Sequence, residues 1–271
     1  MKLVLDIGGT KTRIGLVSDT YRLLETEIFP TNNNYEVGFR EILGFVKSKD
    51  VRVSNICVGI AGVLDKDRDS LFSSPNIKGW IGKRIRADFE KELSANVIVE
   101  NDAALSGLGE AVYGVGKGAK IVAYLTIGTG IGGVRIVNKN IDERLYGFEP
   151  GHHLLKIDPP VSSFETLISG KSIKRIYGNN PEEITDKKVW NKIAKTISYG
   201  IANTVCFWSP DIVVLGGGVA LSDLFNIVQV GKGVKDILEG IYPTVPDIKR
   251  SVLGEYSGLW GGIAYLSNFK Y

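Results

Sequence analysis

The sequence contains the pattern of strand, glycine turn and strand twice. Residues 5–8 (LDIG) align with residues 125–128 (LTIG), and the same offset of 120 places Ile14 on Val134 and Leu16 on Ile136. Such self-similarity predicts a duplicated domain, with two similar halves facing each other across a cleft. Coincidence is the alternative, since glycine turns join apolar strands in many hairpins. Duplication restricts the chain to folds with two related halves.

Apolar strands alternate with helical stretches along the whole chain. Runs of Val, Ile and Leu predict strands over residues 3–6, 14–17, 56–60, 97–99, 121–127, 134–137 and 212–215. Helical spacing predicts helices over residues 35–47, 81–93, 102–113, 164–177, 183–208 and 259–269. This alternation is typical of α/β proteins, and 271 residues are enough for two domains. We expect domains over 1–113 and 114–258, with a final helix over about 259–271 packing back on the first.

Composition and charge exclude several classes of protein. The 33 basic and 30 acidic residues give a net charge of +3, which is too balanced to indicate a nucleic-acid partner. Cys57 and Cys206 lie far apart, which excludes a disulfide scaffold and indicates a reducing compartment. No uncharged stretch reaches the ~18 residues that span a membrane, and no signal-peptide pattern opens the chain. The sequence therefore predicts a cytoplasmic protein that binds neither nucleic acid nor membrane.

The first glycine turn has the groups that bind phosphate. It offers backbone N–H groups, hydroxyls and a positive charge, from Gly8, Gly9, Thr10 and Lys11, and Thr12 adds a further hydroxyl. Asp6 ends the strand before it, and a carboxylate beside phosphate requires a divalent cation between them. We therefore expect Asp6 to hold Mg²⁺ through water.

Two further glycine clusters follow strands. The second turn supplies Gly128, Thr129 and Gly130, and the third cluster is Gly216, Gly217 and Gly218. We expect the third cluster to lie flat against an adenine or ribose, where a side chain would block access. Neither of the first two turns is a Walker A loop or a dinucleotide fingerprint. Each turn alone fits an ordinary hairpin, whereas the three clusters together favour a nucleotide site.

Five segments in a fixed order carry a family resemblance. They are DIGGTKT (6–12), ENDA (100–103), TIGTGIGG (126–133), EPGHH (149–153) and PDIVVLGGGV (210–219). This set resembles the ROK sugar kinases, which are bacterial and archaeal glucokinase-like enzymes, over nearly the whole chain. The resemblance implies a duplicated ribonuclease-H-like fold of the actin/hexokinase type, ATP, Mg²⁺ and a hexose as ligands, and a homodimer. It also implies that the first domain holds much of the sugar site and the second the adenosine site.

Asp102 stands where a predicted strand gives way to a predicted helix. Taken alone, this position favours a helix N-cap. The match of ENDA to the family's catalytic motif implies instead that Asp102 is the base that accepts the proton of the sugar's 6-hydroxyl, with Asn101 on a neighbouring hydroxyl. By the same resemblance Asn76 binds a sugar hydroxyl, although turn chemistry after Pro75 also explains an asparagine there. Trp80 is expected in the core.

The segment EPGHH contains the two histidines of the chain. The resemblance places Glu149 and His152 on the sugar's 1- and 2-hydroxyls, although adjacent histidines are more often structural or exposed. Many family members follow this histidine with a cysteine-rich zinc loop, but residues 154–163 contain no cysteine, so we expect no structural zinc site. Glu165 occupies the place of the family's glutamate after that loop and is the expected last sugar contact.

The resemblance implies transfer of the γ-phosphoryl group of Mg-ATP to the 6-hydroxyl of a hexose, with glucose favoured. An N-acylhexosamine kinase, acting on N-acetylglucosamine or N-acetylmannosamine, is the alternative enzyme, because the same polar groups serve both kinds of sugar. A sugar-responsive repressor would need a DNA-binding module, and only five residues precede Asp6. A non-catalytic sugar-binding regulator stays open, since Pro150 and the missing zinc loop both lie beside the expected sugar site.

Overall fold

The computed structural model describes residues 1–268. The strands are β1 (Lys2–Ile7), β2 (Lys11–Val17), β3 (Leu23–Pro30), β4 (Asn55–Ile60), β5 (Val63–Leu64), β6 (Leu71–Ser73), β7 (Asn96–Asn101), β8 (Ile121–Ile127), β9 (Ile131–Val137), β10 (Asn140–Ile141), β11 (Leu154–Lys156), β12 (Ser162–Ser163), β13 (Ile212–Gly216) and β14 (Asp247–Arg250). The helices are α1 (Tyr35–Ser48), α2 (Ile85–Leu93), α3 (Asp102–Val112), α4 (Phe164–Ile168), α5 (Gly170–Tyr177), α6 (Lys187–Trp208), α7 (Gly218–Leu221), α8 (Ile227–Leu238) and α9 (Ser257–Asn268).

The chain forms two compact units. The first contains residues 1–112, the short segment 143–147 and residues 255–268, and the second contains residues 113–142 and 148–254. The sequence did not indicate that 143–147 belongs with the first unit. Within the first unit α9 packs against α3, β1 and β4. Residues 269–271 of the expected final helix lie outside the described chain.

The first unit is built on a five-stranded sheet with the order β3-β2-β1-β4-β7. Strands β1 to β3 are antiparallel, and β4 and β7 run parallel to β1. Because side chains alternate along a strand, Leu3 and Leu5 enter the core that contains α1 and α2, whereas Val4 and Asp6 face α9. A Cβ atom at Gly258 of α9 would lie 2.8 Å from Cγ of Asp6. Glycine there allows the helix start to lie directly against this carboxylate.

The second unit repeats this sheet. Its strand order is β10-β9-β8-β13-β14, again three antiparallel strands followed by two parallel ones. The predicted duplicated ribonuclease-H-like fold is therefore confirmed. The second turn is one residue shorter than the first, because Leu5 pairs with Ile14 whereas Leu125 pairs with Gly133. The ungapped alignment placed Ile14 on Val134, but in the structure Ile14 corresponds to Gly133.

Several predicted helices differ in extent. The helix expected over 81–93 begins at Ile85, because Gly82 has a φ of 74° and its N–H donates to the carbonyl of Leu71. The helix expected over 164–177 breaks at Ser169, whose side chain accepts from the N–H of Ser172 and caps α5. Strands β3 and β14 and helix α8 were not predicted. Among the described residues, no helix has the length and hydropathy needed to cross a bilayer.

Candidate functional site

The first glycine turn connects β1 to β2 in the first unit. The Gly8 N–H donates to the carbonyl of Lys11 at 3.0 Å, and Thr10 and Lys11 are exposed. A Cβ atom at Gly9 would lie 2.6 Å from the Cβ of Asn76. The structure therefore brings the expected phosphate turn and one expected sugar ligand together.

The hydroxyl of Thr12 is not open to a ligand. Thr12 is buried, and its Oγ1 lies 3.0 Å from the Oγ1 of Thr31, which in turn donates to the carbonyl of Gly8 at 2.8 Å. The expectation that Thr12 contacts phosphate is wrong, because strand alternation turns this side chain inward to brace the turn.

Asp6 is buried and paired with Arg13. The two residues lie opposite each other on β1 and β2, and Nη1 of Arg13 donates to Oδ2 of Asp6 at 3.2 Å. Burial, and after it the nearby Asp102 carboxylate, raise the pKa of Asp6 to about 7, although Arg13 opposes both. The guanidinium also lies 3.6 Å from Glu255. Asp6, which is expected to hold Mg²⁺, is therefore already paired with the positive charge of Arg13.

Asp102 is the first residue of α3, and its neighbour performs the capping. Oδ1 of Asn101 accepts from the N–H of Ala104 at 3.0 Å, which is the hydrogen bond of an N-cap side chain, and Nδ2 of Asn101 donates to the carbonyl of Gly62 at 3.0 Å. Oδ1 of Asp102 accepts from the adjacent N–H of Ala103 at 2.9 Å. Its carboxylate is therefore not needed to start the helix.

The carboxyl group of Asp102 holds its proton unusually tightly. Burial raises its pKa from 3.8 to about 6, against the lowering effects of the Ala103 N–H and of Arg13. A carboxylate with such a pKa is largely ionised at neutral pH and is a stronger base than an ordinary aspartate. This combination suits a general base.

Glu100, which directly precedes Asn101 and Asp102, is the centre of a buried ion cluster. Glu100 is 2% exposed and pairs with Arg68 and, at 2.6 Å, with Nη2 of Arg144. Its Oε1 also accepts from the N–H of Asn101 at 2.7 Å. Arg144 lies in the segment 143–147 that returns to the first unit. The cluster therefore anchors the end of β7 from which Asp102 projects.

The donor set fits a loosely held Mg²⁺ ion. Within residues 1–268 no three His, Cys, Asp or Glu side chains come together as a metal cage. Asp6 is a carboxylate whose charge Arg13 already balances in part. Such a site fits an ion that keeps most of its waters and takes its other ligands from nucleotide phosphates, which is the usual behaviour of Mg²⁺.

The second glycine turn is held by Glu165. Oε2 of Glu165 accepts from the N–H of Ile131 at 2.6 Å, and a Cβ atom at Gly130 would lie 2.7 Å from the same oxygen. The carbonyl of Gly128 accepts from the N–H of Gly170 at 2.7 Å. Glu165, expected to contact sugar, thus has a structural partner in the turn, and the missing side chain of Gly130 makes room for it.

A cavity of about 840 Å³ lies in the second unit beside this turn. It is lined by the start of α5, the loop after it, α7 and the segment that follows α7. Its lining residues are Gly128, Thr129, Gly170, Lys171, Lys174, Asn180, Pro181, Glu182, Gly218, Val219, Leu221, Ser222, Asp223 and Leu224. The volume is in the range of small-molecule sites, and the wall carries two lysines and two acidic residues.

Only part of the third glycine cluster lines the cavity. A Cβ atom at Gly216 would lie 2.3 Å from the Tyr124 hydroxyl, and one at Gly217 would lie 2.5 Å from the carbonyl oxygen of Ile127. Gly217 also has a φ of 84°, which a residue with a side chain rarely adopts. Gly218 has nothing within 4 Å of its Cβ position. Packing within the unit explains the first two glycines, and Gly218 alone remains open to a ligand.

Glu149 and His152 lie at the surface of the second unit. Glu149 precedes a short 3₁₀ turn, Pro150–His152, that ends at His152, and the Glu149 and His152 side chains are 3.8 Å apart. His153 is half-buried, stacks on Phe164 with ring centroids 5.3 Å apart, and has its pKa lowered by burial. Of the two histidines, His152 is the one available to a ligand.

Sequence reasoning missed several residues of these surfaces. Arg13 was signalled by the hairpin itself, because a four-residue turn after Ile7 places residue 13 opposite Asp6. Lys171 and Lys174 of the cavity wall follow Ser169, the N-cap of α5. They were not predicted because the sequence indicated one continuous helix across Ser169.

Known proteins resemble this chain over almost its whole length. The model of the ROK family matches residues 2–268. A glucokinase from Streptomyces coelicolor is 26% identical over 95% of this chain and 94% of its own. A solved ROK hexokinase from Thermus thermophilus is 27% identical, with a TM-score of 0.83 over 98% of both chains. A ROK glucokinase from Streptomyces griseus, solved with glucose and AMPPNP, has a TM-score of 0.81 at 24% identity over 98% of both chains. The chain therefore belongs to the ROK family.

Proposed function

We propose that the protein is an ATP-dependent hexose kinase that phosphorylates the 6-hydroxyl of glucose. The observation that carries the proposal is the state of Asp102: Asn101 makes the N-cap hydrogen bond of α3, and the Asp102 carboxyl has a pKa of about 6. A partly buried carboxylate with a raised pKa is what proton abstraction from a hydroxyl requires. Membership of a family that includes glucokinases supports the same conclusion.

In this mechanism Asp102 accepts the proton of the sugar hydroxyl as that oxygen attacks the γ-phosphorus of ATP, whose bond to the bridging oxygen breaks to release ADP. The hydrogen bond from Ala103 fixes the carboxylate, and the Glu100 cluster fixes the strand end from which it projects. Positioning supplies much of the rate in such a transfer, since the leaving group is already good. The proposed ligands of the sugar are Asn76, Asn101, Glu149, His152 and Glu165.

The nucleotide occupies the cavity of the second unit in this proposal. Gly128 and Thr129 supply backbone and hydroxyl donors to its phosphates, and Gly218 gives it an open wall. The first turn, Gly8 to Lys11, provides further donors. Asp6 is the proposed contact for Mg²⁺, which when bound neutralises phosphate charge during transfer.

The proposal is tested by measuring ADP release with Mg-ATP and one sugar at a time. The panel is glucose, mannose, fructose, N-acetylglucosamine and N-acetylmannosamine, with 6-deoxyglucose as the control that lacks the reacting hydroxyl. We expect the highest kcat/KM with glucose and no stimulation by 6-deoxyglucose. A preference for an acetylated sugar supports the N-acylhexosamine kinase.

A non-catalytic regulator predicts a different result. Such a protein would bind glucose in a calorimeter and release no ADP above the sugar-free rate. The homodimer that the family resemblance implies is part of the same proposal, and light scattering coupled to gel filtration measures it directly.

A further inference from the structure

Four consecutive residues, 221–224, form one wall of the cavity in the second unit. Helix α7 ends at Leu221 and α8 begins at Ile227, so most of this wall belongs to a connecting segment. The hydrogen bonds within this segment join residues that are close in sequence. The Phe225 N–H donates to the carbonyl of Ser222 at 3.1 Å, and the Leu224 N–H donates to Oγ of Ser222 at 3.4 Å. A wall of this kind needs support from outside the segment.

Arg250 gives that support from the edge of the sheet. It is the last residue of β14 and pairs with Leu215 of β13. Its Nη2 donates to the carbonyl of Ser222 at 3.2 Å and also to the carbonyl of Phe225. The guanidinium lies 5.7 Å from the ring centroid of the buried Phe225. One side chain therefore ties both ends of the segment 222–225 to the sheet, while it does not itself line the nucleotide cavity.

We propose that Arg250 is a positioning residue for the nucleotide, acting through the segment 222–225. This inference rests on the proposed function, since it takes the cavity to be the nucleotide site. Charge-assisted hydrogen bonds to two carbonyls hold the wall in the shape that the ligand contacts. Without them the segment samples other conformations, and the nucleotide has to select the binding-competent one, which weakens its apparent affinity. Asp102 and its supporting residues belong to the first unit, so the chemical step is unaffected.

The adjacent residue offers a matched control. Lys249 is also cationic and also lies on β14, but it is exposed and pairs with Asp247 at 3.6 Å. Because side chains alternate along a strand, Lys249 points away from the face that Arg250 uses. Arg250→Met and Lys249→Met therefore remove the same charge from neighbouring positions, and only the first removes the support of the wall.

The test measures the dissociation constant of AMPPNP by calorimetry for the wild type, Arg250→Met, Arg250→Lys and Lys249→Met. We expect Arg250→Met to weaken AMPPNP binding roughly ten- to a hundredfold, the loss of one or two charge-assisted hydrogen bonds, and Lys249→Met to leave it unchanged. Arg250→Lys should fall between the two, because an ammonium still reaches a carbonyl. In steady state, KM for ATP should rise in Arg250→Met while KM for sugar and kcat at saturating ATP stay at the wild-type values.

Two results overturn the proposal. Unchanged AMPPNP affinity in Arg250→Met shows that the wall does not depend on Arg250, and an equal loss of kcat and of sugar affinity shows a general structural role. If circular dichroism shows that Arg250→Met is unfolded, the folded variant Arg250→Lys provides the test. Wild-type AMPPNP affinity and a wild-type KM for ATP in Arg250→Lys contradict the need for the guanidinium. If the wild-type protein binds no AMPPNP, the proposed function itself is refuted. This result is distinguishable from a failure of the Arg250 proposal, in which the wild type binds AMPPNP and Arg250→Met binds it equally well.

Discussion

Replacing Asp102 by asparagine should make the protein more stable at neutral pH as well as less active. In the folded protein, burial raises the pKa of this carboxyl from 3.8 to about 6. Between these two values the folded state binds more protons than the unfolded state, so the free energy of unfolding falls as the pH rises from about 4 to about 6. Above that window the ionised, buried carboxylate is a constant cost to the fold.

The size of the effect follows from the pKa difference. One pKa unit corresponds to about 1.4 kcal/mol, so a shift of this size costs at most about 3 kcal/mol at pH 7.5. Asparagine removes the charge while its Oδ1 still accepts from the N–H of Ala103. The substitution also removes the repulsion that helps to raise the pKa of Asp6 to about 7, which adds to the gain.

The assay is urea unfolding of the wild type and Asp102→Asn at several values between pH 4 and pH 8. We expect the two proteins to be nearly equal near pH 4 and the variant to become more stable as the pH rises to about 6, with a smaller further gain through about pH 7 as Asp6 ionises. Asp65→Asn is the control of opposite sign: burial raises the pKa of Asp65, but hydrogen bonds from Ser70 and from the N–H of Asp69 outweigh it and lower the pKa. That variant should be less stable than the wild type at neutral pH. A gap that does not depend on pH, or an Asp102→Asn protein less stable than the wild type at pH 7.5, refutes the argument.

Three further perturbations test other parts of the structure. The kcat/KM for sugar should fall as the pH drops below about 6, because protonated Asp102 cannot accept a proton, and a profile that is flat down to pH 5 contradicts this. Gly217→Ala should lower the free energy of unfolding by about 2 kcal/mol, since its φ of 84° and the nearby Ile127 backbone exclude a side chain, whereas Gly218→Ala should keep its stability and weaken AMPPNP binding in calorimetry. Arg144→Met should cost about 2 kcal/mol in urea unfolding; this is less than the ~3–5 kcal/mol of an unpaired buried charge because Arg68 still faces the same carboxylate.

The duplicated fold could be predicted from the sequence because its strands and turns have recognisable local patterns. Buried strands such as β1 and β8 are continuous apolar runs, and the turns that follow them are marked by glycine. Strand β3 was missed because it lies at the sheet edge, most of its residues are exposed, and the polar residues 25–27 (ETE) interrupt its apolar residues. Helix α8 was missed because two glycines interrupt its spacing.

The functional surfaces were predicted less completely, and for a physical reason. The sequence shows that a residue is glycine but not what approaches it, and Gly130 and Gly216 prove to be packed against Glu165 and Tyr124, which are distant in sequence. The role of Asp102 was ambiguous for a similar reason, since a helix start offers the cap to either of two neighbours. Only the hydrogen bond from Ala104 to Asn101 assigns the cap to Asn101. Long-range contacts of this kind are outside the reach of local patterns.

Asp102 is proposed to remove the proton from a sugar hydroxyl during phosphoryl transfer. The most direct test is the rate of glucose-dependent ADP release by the wild type and by Asp102→Asn at pH 8, with AMPPNP affinity measured on both proteins. We expect the variant to lose about 10²- to 10⁴-fold in kcat, the usual contribution of a general base, while its AMPPNP affinity stays at the wild-type value. A variant that releases ADP at close to the wild-type rate would contradict the account.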